Sequence, residues 1–329
     1  MGWVYTYRET KQIQELIKRI EINKRVVELL PQLPRLEQSI RRQSLLKSSL
    51  FSARIEGNQL TLNQVQSMSP KSNQKNRQRL EVANILGAQS WLTTTRIPRK
   101  LTLKLIIELH RRVMKGLSDQ GGRLRTESAA IFNQAGIAIY LAPPGPEVLI
   151  LVKRLINNIN TSREQPPIKA AAAHFGFEKI HPFMDGNGRV GRLLANFILK
   201  KDGWDFRGLI AWEEYVAENR QTYYDLLMQG KKDITGFVEF FLEGLESQSQ
   251  KLLEELNRPE METNEAGLLP RRQEILQIIR DHKMVSFDFL RRRFFGITQS
   301  TLHYDLRQLM KHGLVKKLGS TRGVMYALG

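Results

Sequence analysis

The sequence predicts a mainly helical protein interrupted by two small β-hairpins, and three observations carry that expectation. Apolar residues recur at three- and four-residue spacing through most of the 329 residues. Only two places break the pattern with pairs of short runs around turn residues, near 122–141 and 314–328. A segment of linker composition at 257–269 sets a last cluster of elements apart.

Taken in order, residues 3–32 carry Ile13, Leu16, Ile17, Ile20, Ile22, Val26, Val27, Leu29 and Leu30 at helical spacing, so at least one helix ends before Pro31. A second runs from about 35 to 55 and closes at Gly57-Asn58, a plausible C-cap pair. Near its end Ser52 and Glu56 are four apart and share a face. Residues 60–79 are polar with a Ser-Pro step and read as a short helix and loop. Helical periodicity resumes at 80–92 and 100–115, where His110 reads as a packing or surface residue. The runs 122–132 and 136–141, separated by Asn133-Gln134-Ala135 and followed by Pro143-Pro144, read as a hairpin. Further helices are expected at 147–159, 168–180, 189–200, 212–228 and 235–256. His174 lies seven residues before His181; with no third ligand in sight it reads as a packed interior histidine rather than half of a metal pair.

Beyond the linker, helices at 270–281, 287–293 and 299–312 precede strands at 314–318 and 324–328. Three helices closed by a two-stranded hairpin is the winged-helix (helix-turn-helix) pattern. From Leu268 onward there are twelve basic and four acidic residues, with Arg307, Lys311, Lys316, Lys317 and Arg322 as candidate phosphate contacts. Such a module serves either DNA or protein contact. The expected division is therefore an N-terminal helical region 1–95, a core 96–257, a linker 258–269 and a winged-helix domain 270–329.

Lysine and arginine outnumber aspartate and glutamate by 51 to 33, a net charge of +18, which favours polyanionic company such as nucleotide, nucleic acid or an acidic protein. The absence of cysteine excludes disulfides and thiolate metal sites. No run of eighteen apolar residues and no leader pattern appear, so the reading is a cytoplasmic protein with no membrane segment.

The densest chemistry lies at 181–192, HPFMDGNGRVGR, between two expected helices. Gly186, Asn187 and Gly188 sit where positive φ is cheapest, and their N–H groups together with the positive end of the following helix make an anion cradle. Arg189 and Arg192, three apart on that helix, can both fork onto phosphate oxygens. Asp185 is a hard oxygen ligand suited to Mg²⁺. His181 can accept a proton at neutral pH. No structural need asks for all of these together; the combination reads as a phosphate site. No Walker-type phosphate loop occurs.

HPFMDGNGRVGR resembles, at every defined position, the H-x-F-x-[DE]-G-N-G-R-x-x-R signature of the Fic family of protein adenylyltransferases. The resemblance implies transfer of AMP from ATP to a Ser, Thr or Tyr hydroxyl of a protein, with Mg²⁺ as the metal. His181 would be the base, Asp185 the metal ligand, and Gly186, Asn187, Gly188, Arg189, Gly191 and Arg192 the phosphate-binding set. SARIEG, ending at Gly57, is similar to the family's inhibitory [ST]-x-x-x-E-[GN] helix. It implies that Ser52 and Glu56 act on Arg192, a carboxylate competing with the γ-phosphate for one guanidinium. The hairpin corresponds in position to the family's flap, which takes a target segment by strand addition, here through Ala129, Ala130, Ile131 and Phe132. Tyr223 and Tyr224 match a Tyr-Tyr pair placed against the nucleotide base. The Asn often found shortly after that pair is replaced in this region by Gly230-Lys231, a departure that weakens adenine contacts.

Two rivals stay open. One is a DNA-binding regulator whose core senses nucleotide; the other is an enzyme whose same core removes AMP from a modified protein, with Glu56 orienting water, or transfers a different nucleotide or phosphate moiety. Homodimer formation is also left open.

Overall fold

The structure, a computed structural model, describes residues 5–30, 34–66, 68, 76–94, 98–132, 138–229, 232–257, 268–319 and 323–329. The hairpin turn at 133–135, Gly230-Lys231, Arg322 and nearly all of the linker lie outside the described residues. The chain divides into two compact units, Met1–Glu255 and Leu256–Gly329.

The first unit is helical. Helix α1, Lys11–Leu29, starts later than residue 3 because Thr10 caps it, accepting from the Ile13 N–H at 3.1 Å. Before the cap, Thr6 bridges in parallel to Asp233. Ile13, Leu16, Ile17, Ile20 and Val27 are buried, whereas Ile22, Val26 and Leu29 face outward. Helix α2 is Pro34–Ile55, α3 Leu62–Gln66, α4 Arg77–Thr94 and α5 Leu103–Val113. Strands β1, Ala130–Phe132, and β2, Ala138–Leu141, pair antiparallel with Ile131 opposite Tyr140, so the expected hairpin is present.

Helices α6, Gly145–Thr161, α7, Pro166–Ile180, and α8, Asn187–Lys201, form the centre. Ala170, Ala171, Ala172 and Ala173 are buried on α7, and such small side chains let a neighbouring helix come close. On the α8 side the approach depends on Gly191: a Cβ there would stand 2.5 Å from Glu178 Oε1 and 2.8 Å from His174 Nδ1. The helix expected at 212–228 is two helices, α9, Trp212–Glu218, and α10, Arg220–Met228, because Asn219 leaves helical geometry (φ −113°, ψ 36°). Helix α11 is Thr235–Leu256. Among the described residues no helix is long and apolar enough to cross a membrane.

The second unit contains α12, Pro270–His282, β3, Met284–Ser286, α13, Phe287–Arg293, α14, Gln299–Lys311, β4, Val315–Leu318, and β5, Met325–Leu328. Its core includes Ile275, Ile279, Leu290, Leu302, Leu306 and Tyr326. The sheet has three strands in the order β3-β5-β4, one more than the two-stranded expectation. Strand β3 is three residues long, too short for alternation to reveal, and its Ser286 doubles as the cap of α13.

Candidate active site

Helix α7 ends because His181 turns into the left-handed region (φ 48°, ψ 59°), its N–H still reaching Phe177 O at 3.0 Å. That conformation costs a non-glycine residue roughly 1–2 kcal/mol, so the surroundings must hold it. They do so through Arg125, whose Nε donates to His181 O at 2.7 Å and whose N–H donates to Pro182 O at 3.0 Å. His181 is half-buried, and its Nδ1 is shielded from water without a well-formed hydrogen bond. Burial pushes its pKa below the ordinary value, opposed by the Glu178 carbonyl and Glu56. The neutral imidazole, the form that accepts a proton, is thus favoured at neutral pH.

The loop after it is braced from two sides. Asn187 closes a ring with Phe183, accepting from its N–H and donating to its carbonyl, both at 2.8 Å. Its side-chain amide therefore shapes the loop and leaves the backbone N–H as its part in the expected cradle. From beneath, the His110 ring stacks on Phe183 with centroids 3.6 Å apart. Gly122 N–H donates to His110 Nδ1 at 2.8 Å, which leaves Nε2 to donate to Asp185 O at 3.0 Å. Burial lowers the His110 pKa to about 4, keeping it in that neutral form. Gly186 (φ 80°) caps α8, and a Cβ there would lie 2.8 Å from Met114 Sδ.

Both signature arginines are engaged. Arg189 donates to Glu81 Oε1 at 2.7 Å and to Asp185 Oδ1 at 2.8 Å, while Asn58 Nδ2 donates to Glu81 Oε2 at 2.8 Å. Asp185 also accepts from Gly186 N–H at 2.6 Å, and its side chain remains 52% exposed. Arg192, 1% exposed, donates through Nε to Ser52 Oγ at 2.9 Å and through Nη2 to Ser52 O and Glu56 Oε1, each at 2.8 Å. Burial works against its charge, but Glu56, together with Tyr223 and Glu178, more than offsets it and holds the guanidinium above its ordinary pKa. The same Glu56 oxygen lies so close over Gly188 that a methyl group there would collide with it. A carboxylate thus sits in the anion cradle at the start of α8.

The remaining expected residues divide. Tyr223 is 1% exposed, its hydroxyl hydrogen-bonded to His174 Nε2 at 2.9 Å, so it belongs to the core and offers no face to a base. Tyr224 is partly exposed and donates to Ile55 O at 2.9 Å, beside Arg220 Nε at 2.7 Å on the same carbonyl. Gly191 permits the close α7–α8 crossing. Ala129 and Ala130 are half-buried at the hairpin, with Ala129 O accepting from Ala142 N–H at 3.0 Å; Ile131 and Phe132 complete β1. Among the described residues no cluster of three or more histidine, aspartate or glutamate side chains fits a metal. Sequence reasoning missed Glu81, Arg125 and the loop-bracing role of His110, which carry no local signature.

Residues 100–199 match the family model described as the Fic/DOC family. The chain carries a Fic domain. It is 34% identical over 197 residues to the protein named "Protein adenylyltransferase Fic" in Drosophila erecta, with 56% of this chain and 37% of that protein covered. The Drosophila melanogaster protein of that name is equally similar over the same shares. The chain thus spans little more than a third of the length of the relatives it matches. Its fold is similar to that of a Fic family protein from Desulfovibrio desulfuricans G20 (TM-score 0.65, 23% identity, 98% and 97% of the two chains covered) and to residues 134–508 of Fic-1 from C. elegans (TM-score 0.61, 23% identity, 74% and 72% covered). The Fic match contains His181, Asp185 and both arginines but not Ser52, Glu56, Asn58 or Glu81. Helices outside it therefore supply the groups that pair Arg192 and one of the two carboxylates on Arg189.

Proposed function

We propose that the chain is an ATP-dependent protein adenylyltransferase held inactive by Glu56. The observation that carries this reading is the Glu56 carboxylate on Arg192 and over Gly188, where the terminal phosphate of a nucleotide would bind. The similarity to proteins named adenylyltransferases supports the reaction type. His181 takes the proton of a target Ser, Thr or Tyr hydroxyl, whose oxygen bonds to the α-phosphorus as the bond to pyrophosphate breaks. Arg189 and Arg192 neutralise the β- and γ-phosphates, which requires Arg192 to exchange Glu56 for phosphate. Asp185, a single half-exposed carboxylate beside the cradle, fits a Mg²⁺ completed by phosphate and water oxygens, and that ion would supply further charge neutralisation. The hairpin edge receives the target segment by strand addition at Ala129, Ala130, Ile131 and Phe132. Of the two tyrosines, Tyr224 is the one available to the base.

Incubation with labelled ATP, with and without Glu56→Gly, tests this. Incorporation of AMP into protein rises in the variant; equal incorporation in both would remove the inhibitory role.

A second activity concerns the C-terminal unit, for which we propose duplex DNA as partner. Ser300, His303, Tyr304, Arg307 and Lys311 are exposed on α14, with Lys316 and Lys317 exposed on β4, a basic helix beside a basic strand. Binding through phosphates weakens steeply with salt, by about 0.9 log units per decade for each contact. Loss of Arg307 and Lys311 together should flatten that slope, and an unchanged slope would favour protein contact.

A further inference from the structure

Arg125 is 3% exposed, and among the described residues no carboxylate pairs with it. A guanidinium withdrawn from water without a counter-ion is costly, so its donors must be satisfied in another way. Four backbone carbonyls do this. Nε donates to His181 O and Nη1 to Glu127 O, both at 2.7 Å, and Nη2 donates to Pro143 O at 2.7 Å and Ile180 O at 3.1 Å. The Ile180 and His181 carbonyls belong to the end of α7, where helix carbonyls lack internal partners and the dipole is negative. Glu127 and Pro143 flank the hairpin on its two sides. One side chain therefore joins the end of the helix that carries His181 to both legs of β1–β2.

Two neighbouring features tighten the same junction. The Tyr140 hydroxyl on β2 donates to Lys179 O at 2.6 Å. Gly145, after the second leg, lies so close to Thr126, before the first, that any side chain there would strike the Thr126 carbonyl.

We propose that Arg125 is a positioning residue that fixes the His181 backbone and the base of the hairpin as one unit, so that a hydroxyl held along the hairpin meets the imidazole in register. The kinetic arm of this inference rests on the transferase reading. Lysine cannot replace arginine here, because an ammonium has no planar fork to span carbonyls on separate segments.

The test compares Arg125→Lys, Arg125→Gln and Tyr140→Phe, each in the Glu56→Gly background. In Arg125→Lys the kcat for AMP transfer falls about 10- to 100-fold, the scale of a sub-ångström to ångström misplacement, while ATP affinity is unchanged. Exchange of the Ala142 amide, which bonds Ala129 across the hairpin, accelerates. Arg125→Gln shows the same and, by losing a positive charge near the imidazole, raises the His181 titration followed by NMR. Tyr140→Phe, which removes one tie and keeps the buried charge, gives a smaller loss in the same direction and decides the matter if the Arg125 variants do not fold. Parental kcat together with parental Ala142 exchange in the folded variants overturns the proposal. If the Glu56→Gly parent transfers no AMP, the exchange and titration arms still decide: a changed exchange rate upholds the junction while the transferase reading falls, and unchanged exchange and titration overturn the junction.

Discussion

Helices α7 and α2 both pack on α8, but by different chemistry. Helix α7 buries Ala170 to Ala173, Phe175 and Phe177, so its hold is mainly apolar area and close backbone approach. Helix α2 also buries Leu50, Ala53 and Ile55, but it adds a row of serine hydrogen bonds: Ser44 donates to Leu209 O at 2.6 Å, Ser48 to Gln89 Oε1 at 3.0 Å, and Ser52 accepts from Arg192. Lys47 adds an ion pair to Glu214 at 3.1 Å. A hydrogen bond exchanges for one to water or phosphate at a net difference of about 1 kcal/mol, whereas apolar surface has no such substitute. On the proposed function, the scaffold that carries His181 stays in place and the bonds of Ser52 and Glu56 to Arg192 are the ones that exchange for phosphate.

The comparison breaks most severely if the base is not on the permanent side. His181→Ala should lower AMP transfer by about 10²- to 10⁴-fold with ATP binding nearly intact, measured by labelled AMP incorporation beside calorimetry. Parental transfer in that variant would reassign the base.

On the exchangeable side, releasing Glu56 frees a charge-assisted bond of about 1.5–3 kcal/mol, so Glu56→Gly should raise transfer roughly 10- to 100-fold. Removing Arg192 as well should cancel the gain, since the freed guanidinium is what captures the γ-phosphate. A gain that survives without Arg192 would mean that Glu56 restrains some other group.

Stability should distinguish the two interfaces directly. Gly191→Ala forces a methyl against Glu178 and His174 and should cost about 1–3 kcal/mol, whereas Ser48→Ala in the α2 seam should cost about 1 kcal/mol. Thermal melting that ranks them the other way would show the polar seam to be the stronger hold.

A pH dependence belongs to the same α7–α8 crossing. Burial, aided by Glu56 and opposed by Arg192, pushes the Glu178 carboxyl up to about 8 from an ordinary 4.5. Its contribution to stability is complete below about pH 4.5 and is lost as pH rises through about 8. Melting temperature should therefore fall less between pH 5 and 8 in Glu178→Gln than in the parent; parallel curves would place the titration elsewhere.

What the sequence by itself determined was the helical class, the hairpin, the 181–192 signature and the Ser52–Glu56 pair, because each is written in neighbouring residues. Periodicity, glycine positions and motif spacing are local properties of a chain. Only the tertiary structure decided what each functional group touches. Glu81 reaches Arg189 across 108 residues of sequence, and Arg125 reaches His181 across 56, with no periodic trace of either. Tyr223 and Tyr224 make the same point within one helix. Adjacent helical positions point about 100° apart, so one ring enters the core and the other stays at the site, and packing against His174 chooses which.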